Sequence, residues 1–545
     1  MNTTLLAFVI LYLVGTMGIG VYAGTRVKST ADFAIAGRSL PLAMVITTTF
    51  ATWFGAETVM GIPAKFVQGG LNAVVEDPFG ASMCLVLVGA FFATRLYKMS
   101  LLTIGDFYRH RFGESVEIFC SVAIILSYLG WVAAQITALG LVFSVLSGGA
   151  IAPPVGMVIG TSLVLIYVLI GGMLAVAWTD FIQMIVLVIG LSLIAVMAGQ
   201  QAGGADKVLE MAVAKDWFKL LPEHTPKDWI FFIGTAITMM LGSIPQQDVF
   251  QRVMSAKDSD TARRGAIIGG FSYLVFAFVP MFIVASALLI MPTETQDLLA
   301  HDPQKVLPTL ILTKMPLVAQ IFFFGALVSA IKSTSSATLL APSTSFVENI
   351  LKNIKPGMSD KQVLLSLRIT IFVFTALVLT YAIVMQGTAI YDLVSSAYQV
   401  TLVAAFVPLT LGLFWQRATT QGALLSVASG VGVWLAFLLV PGWGEAFPGQ
   451  LAGVLAALAG IMAGPFLSVQ PSMHLLPIVK AFAIVVVGGL GSIPGSIVAA
   501  LMLGYAETFV AYGISTAWTE IVSVAATLLM LVLRPAGFFC KRAAF

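Results

Sequence analysis

Between Ser329 and Ser335 the chain reads Ser-Ala-Ile-Lys-Ser-Thr-Ser, which places small hydroxyls and a lysine in the middle of an apolar stretch. Hydrocarbon penalises such groups, so residues of this kind at membrane depth handle an ion or a solute. Ala330, Ser333 and Thr334 follow the i, i+3, i+4 spacing of one helical face, and a carbonyl with two hydroxyls is a set of hard oxygen donors suited to an alkali cation. The plain alternative for the two hydroxyls is hydrogen bonding to the preceding turn. Lys332 lies roughly 150° around the same helix from that face, at 100° per residue, so it does not simply replace the ion. A lysine there needs a water-filled cavity or an acid, and Glu57 and Asp180 are the acids available within apolar spans.

Only a membrane gives such residues their meaning. The chain has 545 residues, 59% hydrophobic and 10% charged, with a mean hydropathy of +1.00, which excludes an ordinary soluble globular protein and predicts an all-α polytopic membrane protein. Apolar runs near the ~20 residues that cross a bilayer recur along it. Predicted spans are 3 to 23, 40 to 64, 76 to 98, 118 to 146, 155 to 176, 178 to 199, 229 to 247, 265 to 290, 315 to 343, 366 to 385, 391 to 415, 420 to 440 and 450 to 468. The first lacks a basic leader and a small-residue cleavage signal, so it is expected to be retained as a helix. Cys84, Cys120 and Cys540 have no metal-type spacing, and the four histidines fall outside the spans, so no disulfide framework, haem or zinc site is implied.

Counted alternately, one set of gaps collects Arg26, Lys28 and Arg38, then Arg95, Lys98, Arg109 and Arg111, then Arg252, Lys257, Arg263 and Arg264, then Lys352, Lys355, Lys361 and Arg368, then Arg417. The positive-inside rule makes that set cytoplasmic and the N-terminus external. Two spans look broken. The second holds Gly55, Glu57 and Gly61-Ile62-Pro63, and the seventh holds Gly242-Ser243-Ile244-Pro245-Gln246-Gln247-Asp248. Polar, Gly and Pro residues together at membrane depth are tolerated where the backbone faces a cavity or ligand. The two lie five spans apart, the spacing of inverted five-helix repeats around a central site.

At these motifs the chain resembles the sodium:solute symporter family, over about residues 1 to 465. The resemblance rests on Asp32-Phe33 with Ala36-Gly37-Arg38, Phe50-Ala51 to Gly61, Thr103-Ile104-Gly105-Asp106-Phe107 to Arg111-Phe112-Gly113, and Gly171-Gly172 to Trp178-Thr179-Asp180-Phe181-Ile182-Gln183. It continues through Gln251-Arg252 with Ala256-Lys257, Ser333-Thr334, and Gly412-Leu413-Phe414-Trp415 to Gly422-Ala423. The resemblance implies a sodium site made of the backbone carbonyls of Ala51 and Phe54, the carbonyl of Ala330 and the hydroxyls of Ser333 and Thr334. It places Asp180 on the ion route or at a gate, where Lys332 is a local departure. Glu57 and Thr58 fall where sugar-transporting members carry solute-site residues, whereas the aspartate and aromatic residues of proline-type members are replaced by Trp53, Met239 and Ser243. Further solute-site candidates are Gln135, Gln246, Gln247, Ser395, Tyr398 and Gln399, polar groups that hydrocarbon disfavours.

From about residue 466 the sequence departs from that family. Lys480-Ala481-Phe482 to Gly488-Gly489-Leu490-Gly491-Ser492-Ile493-Pro494-Gly495, then Leu503-Gly504 to Glu507 and Arg534-Pro535 to Phe538, resemble the closing segment of branched-chain amino-acid ABC-importer permeases. Two more spans, near 496 to 513 and 517 to 533, with Leu475 to Val487 lying along the surface or re-entering, would leave the C-terminus cytoplasmic. No Gly-x-x-x-x-Gly-Lys-Ser/Thr loop occurs, so the chain carries no ATPase and no ATPase partner is expected. The expected function is sodium-coupled symport of a small polar solute by alternating access, with sodium as coupling ion, no other cofactor, no enzymatic chemistry and no nucleic acid. The expected place is the plasma membrane, a bacterial inner membrane. Competing readings are a proton-coupled or uncoupled carrier, a membrane sensor module and an ABC permease subunit.

Overall fold

The computed structural model describes residues 3–27, 29–223, 225–464, 483–484, 486–487, 493–513 and 519–533. It divides into two compact units, Met1–Pro465 and Phe466–Phe545. Among the described residues every regular element is a helix, apart from one isolated bridge between Leu40 and Ala256. Helices satisfy their own backbone groups, which is the condition for crossing hydrocarbon. Polar caps mark helix starts in the gaps between spans: Ser29 with Asp32, Thr103 with Asp106 and Thr225 with Asp228 each form a reciprocal capping box.

The helices that matter for the site are α1 (Thr3–Gly24), α2 (Leu42–Trp53), α3 (Ile62–Gly69), α4 (Glu114–Leu146), α5 (Pro153–Gln201) and α6 (Pro226–Gly242). They are followed by α7 (Gln247–Met254), α8 (Ser259–Ile290), α9 (Leu317–Phe346), α10 (Ile390–Thr401) and α11 (Thr420–Leu439). By length and composition eight helices among the described residues can cross a membrane, and the bent pair α6 and α7 makes a ninth. Elsewhere the predicted spans are occupied by shorter apolar helices, Ala7–Gly20, Leu42–Trp53, Pro153–Ile166 and Gly449–Ala463.

The fifth and sixth spans expected from the sequence are the two limbs of α5, which part at a single residue. Gly172 takes φ 52° and ψ −155°, a conformation open to glycine because it has no Cβ. An added Cβ would also stand 2.6 Å from the Phe33 carbonyl. The two spans expected to be broken do break. α2 stops at Phe54 and resumes through a wide turn, Glu57–Gly61, into α3, while α6 and α7 meet at 47°.

α9 is buried at every residue from Phe323 to Ser345 and packs on α5, α4 and α1. A helix covered all round can carry hydroxyls and a lysine because they meet protein and not lipid. In the second unit the described helices are α12 (Ile493–Gly513) and α13 (Thr519–Leu533), close to the spans expected there. Most of the expected surface segment 475–487, the glycine-rich stretch after it and Cys540 lie outside the described residues.

Candidate functional site

The break in α2 releases a carbonyl. In a continuous helix the Ala51 oxygen would accept from the N–H of Gly55, four residues on, but that N–H donates to Trp53 instead, at 2.8 Å. The Thr58 hydroxyl takes the same Trp53 oxygen at 2.7 Å. Ala51 is left to accept from the hydroxyl of Thr334, reaching across from α9 at 3.3 Å. Ser333, one residue back, donates to Oδ1 of Asp180. These two hydroxyls are thus turned outward from their own helix, whereas Ser335, Ser336 and Thr338 bond back to α9 carbonyls at 2.6 to 2.8 Å. Ala330 and Phe54 are buried on the same two segments.

Asp180, fully buried on α5, is the centre of a polar knot. Its Oδ2 accepts from Thr48 at 2.7 Å and lies 4.0 Å from Nη2 of Arg252, itself fully buried. Arg252 also donates to the carbonyls of Thr48 and Asp248. Lys332 leaves the opposite side of α9, where Nζ donates to the Thr16 hydroxyl of α1 at 2.9 Å, one turn from the bond between Ser329 and Tyr12. It lies within the electrostatic field of Asp180. The pairing of Lys332 with Glu57 that the sequence left open is not formed, because Glu57 is turned to α4.

There Glu57 accepts from Trp131 Nε1 at 3.3 Å and from Gln135 Nε2 at 2.6 Å, and Gln135 in turn accepts from the Ala56 N–H at 3.0 Å. Thr58 meets the Tyr273 hydroxyl at 2.9 Å, and Tyr273 donates to Asp77 at 2.5 Å. Gln246 donates to Ser127 at 3.0 Å and to Thr401 at 3.4 Å, and Ser395 donates to Glu76 at 2.8 Å. Tyr398 stands between Trp53 and Trp131, with ring centroids 5.6 and 5.3 Å away. Two candidates go elsewhere. Gln247 accepts from the Ile104 N–H at 2.8 Å, serving the start of the helix Ile104–Phe112, and Gln399 accepts from Trp434 of α11 at 3.1 Å.

Comparison with known proteins gives the family. The sodium:solute symporter family model matches residues 33–430. The chain belongs to that family. It is a membrane transporter that couples solute movement to sodium. A second model, the permease component of branched-chain amino acid transport systems, matches residues 449–532. The human high affinity choline transporter 1 is 26% identical over 78% of this chain and 75% of its own. The sodium/sialic acid symporter NanT of Aliivibrio fischeri is 26% identical, covering 83% and 91%, and the high-affinity proline transporter PutP of Bacillus subtilis 27%, covering 80% and 93%. Among solved structures, a Na+-coupled sialic acid symporter in a substrate-bound outward-open state superposes with a TM-score of 0.73 at 21% identity, over 85% of this chain and 98% of that one. A nucleobase-cation-symport-1 family transporter in a closed conformation gives 0.54 at 12%, over 82% and 98%; both show likeness of fold.

The symporter also contains buried polar residues that sequence reasoning did not single out: Glu76, Asp77, Asp248, Tyr128, Trp131 and Tyr273. Asp77 and Asp248 stand at the ends of apolar runs, where acids read as loop residues. The signal was present for Asp248, since it continues the Pro245-Gln246-Gln247 break. Asp248 accepts from Tyr128 across 120 positions of sequence, a distance over which no local pattern speaks.

Proposed function

We propose that sodium binds where the Ala51 carbonyl at the break of α2 meets the Thr334 hydroxyl of the unbroken α9, with Phe54, Ala330 and Ser333 completing the oxygen shell. The observation that carries this reading is the hydroxyl of Thr334 on a carbonyl freed by the break. Asp180 holds Ser333 in place and draws the cation along its route. The solute sits beside Glu57, Thr58 and Gln135, and the spans two to six and seven to eleven act as inverted repeats that alternate access around this centre. Linkage follows from the geometry: an ion that draws α2 and α9 together orders the segment carrying Glu57, and the solute does the same for the ion.

The test is sodium-dependent uptake in proteoliposomes. Ser333→Ala and Thr334→Ala should each raise the sodium concentration for half-maximal uptake by about tenfold, the loss of one oxygen contact, and change the maximal rate far less. Unchanged sodium dependence in both variants would remove the assignment.

The alternating positive gaps support an external N-terminus and a cytoplasmic C-terminus in a bacterial inner membrane. We assign residues 1–465 to transport and 466–545 to an appended permease-like segment. No proposed ion or solute residue lies in that segment, so a protein truncated after Gln470 should retain sodium-driven uptake at the full-length rate per folded molecule. Loss of uptake in a truncation that still elutes as a single species would show that the tail takes part. The named relatives carry a cation, an acid and a zwitterion, so the solute class must be read from the site itself.

A further inference from the structure

We infer that the solute is an organic cation with an alkylated ammonium head, received by the rings of Trp53, Trp131 and Tyr398 and faced by the carboxylates of Glu57, Asp77 and Asp248. This rests on the reading that the break after α2 lines the solute path. The three rings come from α2, α4 and α10 and are each fully buried. Their centroids are 5.3 to 5.6 Å apart, with the two indoles nearly parallel.

A packing cluster alone would have its polar atoms satisfied. Here the Trp53 Nε1 and the Tyr398 hydroxyl are both buried and have no hydrogen-bond partner among the described residues. The charge around them points the same way. Tyr398 lies in the combined field of Asp248, Glu57 and Asp77. Glu57 is bonded by the neutral donors Trp131 and Gln135, and Asp77 by the neutral donor Tyr273. Arg252 is shared between Asp248 and Asp180. The second carboxylate oxygens of Asp77 and Asp248 are buried and have no hydrogen-bond partner among the described residues.

An anionic solute would be repelled by these acids, and a neutral sugar would leave them uncompensated. A bare alkali ion takes oxygen ligands and gains little from ring faces. An alkylated ammonium is weakly hydrated, spreads its charge over its methyl surface, and is attracted to aromatic faces within about 6 Å. The rings stack on one another in this conformation, so they part as the head enters and close again on an occluded state.

The experiment uses the full chain in proteoliposomes with an imposed sodium gradient, and labelled choline as probe. Choline should enter, tetramethylammonium should compete, and glucose and lactate should not. Trp53→Ala and Trp131→Ala should each weaken choline binding about thirtyfold, measured as Kd on purified protein. Trp53→Phe and Trp131→Phe should recover part of that, which a merely structural loss would not predict. Sodium-driven uptake of glucose or lactate that tetramethylammonium leaves untouched would overturn the inference while leaving the sodium site standing, as would failure of choline to bind the wild-type protein at millimolar concentration. Choline uptake that ignores sodium would support the inference and count against the sodium site.

Discussion

Replacing Gly55 by alanine should give a folded protein that no longer couples sodium to solute. A Cβ at this position would stand 2.7 Å from Oε2 of Glu57, 2.9 Å from Oε1 of Gln135 and 2.9 Å from Oγ1 of Thr334. Those three atoms belong to the proposed solute and sodium sites, and Gly55 is where the two approach each other. Each atom is held: Oε2 of Glu57 by Nε2 of Gln135 at 2.6 Å, Oε1 of Gln135 by the Ala56 N–H at 3.0 Å, and Oγ1 of Thr334 by its bond to the Ala51 carbonyl. A methyl group can therefore be admitted only by pushing the ion side and the solute side apart. Overpacking of this kind costs about 1 to 3 kcal/mol, small enough for the fold to survive. Uptake should nevertheless fall by more than about tenfold at saturating solute, and apparent sodium affinity should fall with it. Proteoliposome uptake and a thermal melt on the same preparation measure both. Wild-type sodium affinity in Gly55→Ala would show that the two sites do not meet there.

Asp180→Asn should be the most destabilising single change in the transport core. The amide keeps the shape of the carboxylate and removes its charge, so Arg252, 4.0 Å away, is left to Asp248 alone and Lys332 loses the acid in whose field it lies. Breaking a buried ion pair from one side costs about 3 to 5 kcal/mol. The protein should express poorly and melt at a lower temperature. Adding Lys332→Met removes one of the two cations that Asp180 offsets and should restore part of the melting temperature, whereas Lys332→Met added to Glu57→Gln should restore none, because Glu57 is bonded to Trp131 and Gln135. A double variant Asp180→Asn, Lys332→Met no more stable than Asp180→Asn alone would place Lys332 outside the Asp180 network.

The membrane class, the family and the two interrupted helices are legible in the chain before any folding, because each is written in neighbouring residues. Twenty apolar residues in a row are local information, and so is a run such as Gly242-Ser243-Ile244-Pro245. The spacing of Ala330, Ser333 and Thr334 marks one helical face, but spacing does not say which hydroxyls turn back onto their own helix. It takes the packed helices to show that Ser335, Ser336 and Thr338 do so, while Ser333 and Thr334 reach Asp180 and Ala51 across 153 and 283 positions.

The same limit explains where other candidates came to lie. Gln247 and Gln399 are polar residues in apolar surroundings, as Gln135 is, yet they serve the Ile104 N–H and Trp434, since which neighbour a helix face meets depends on packing between distant elements. Lys332 and Thr16 are 316 residues apart, and Trp131 meets Glu57 across 74. Burial favours a partner for a polar group, because an unpaired one costs free energy. The identity of each partner was settled by how the helices cross.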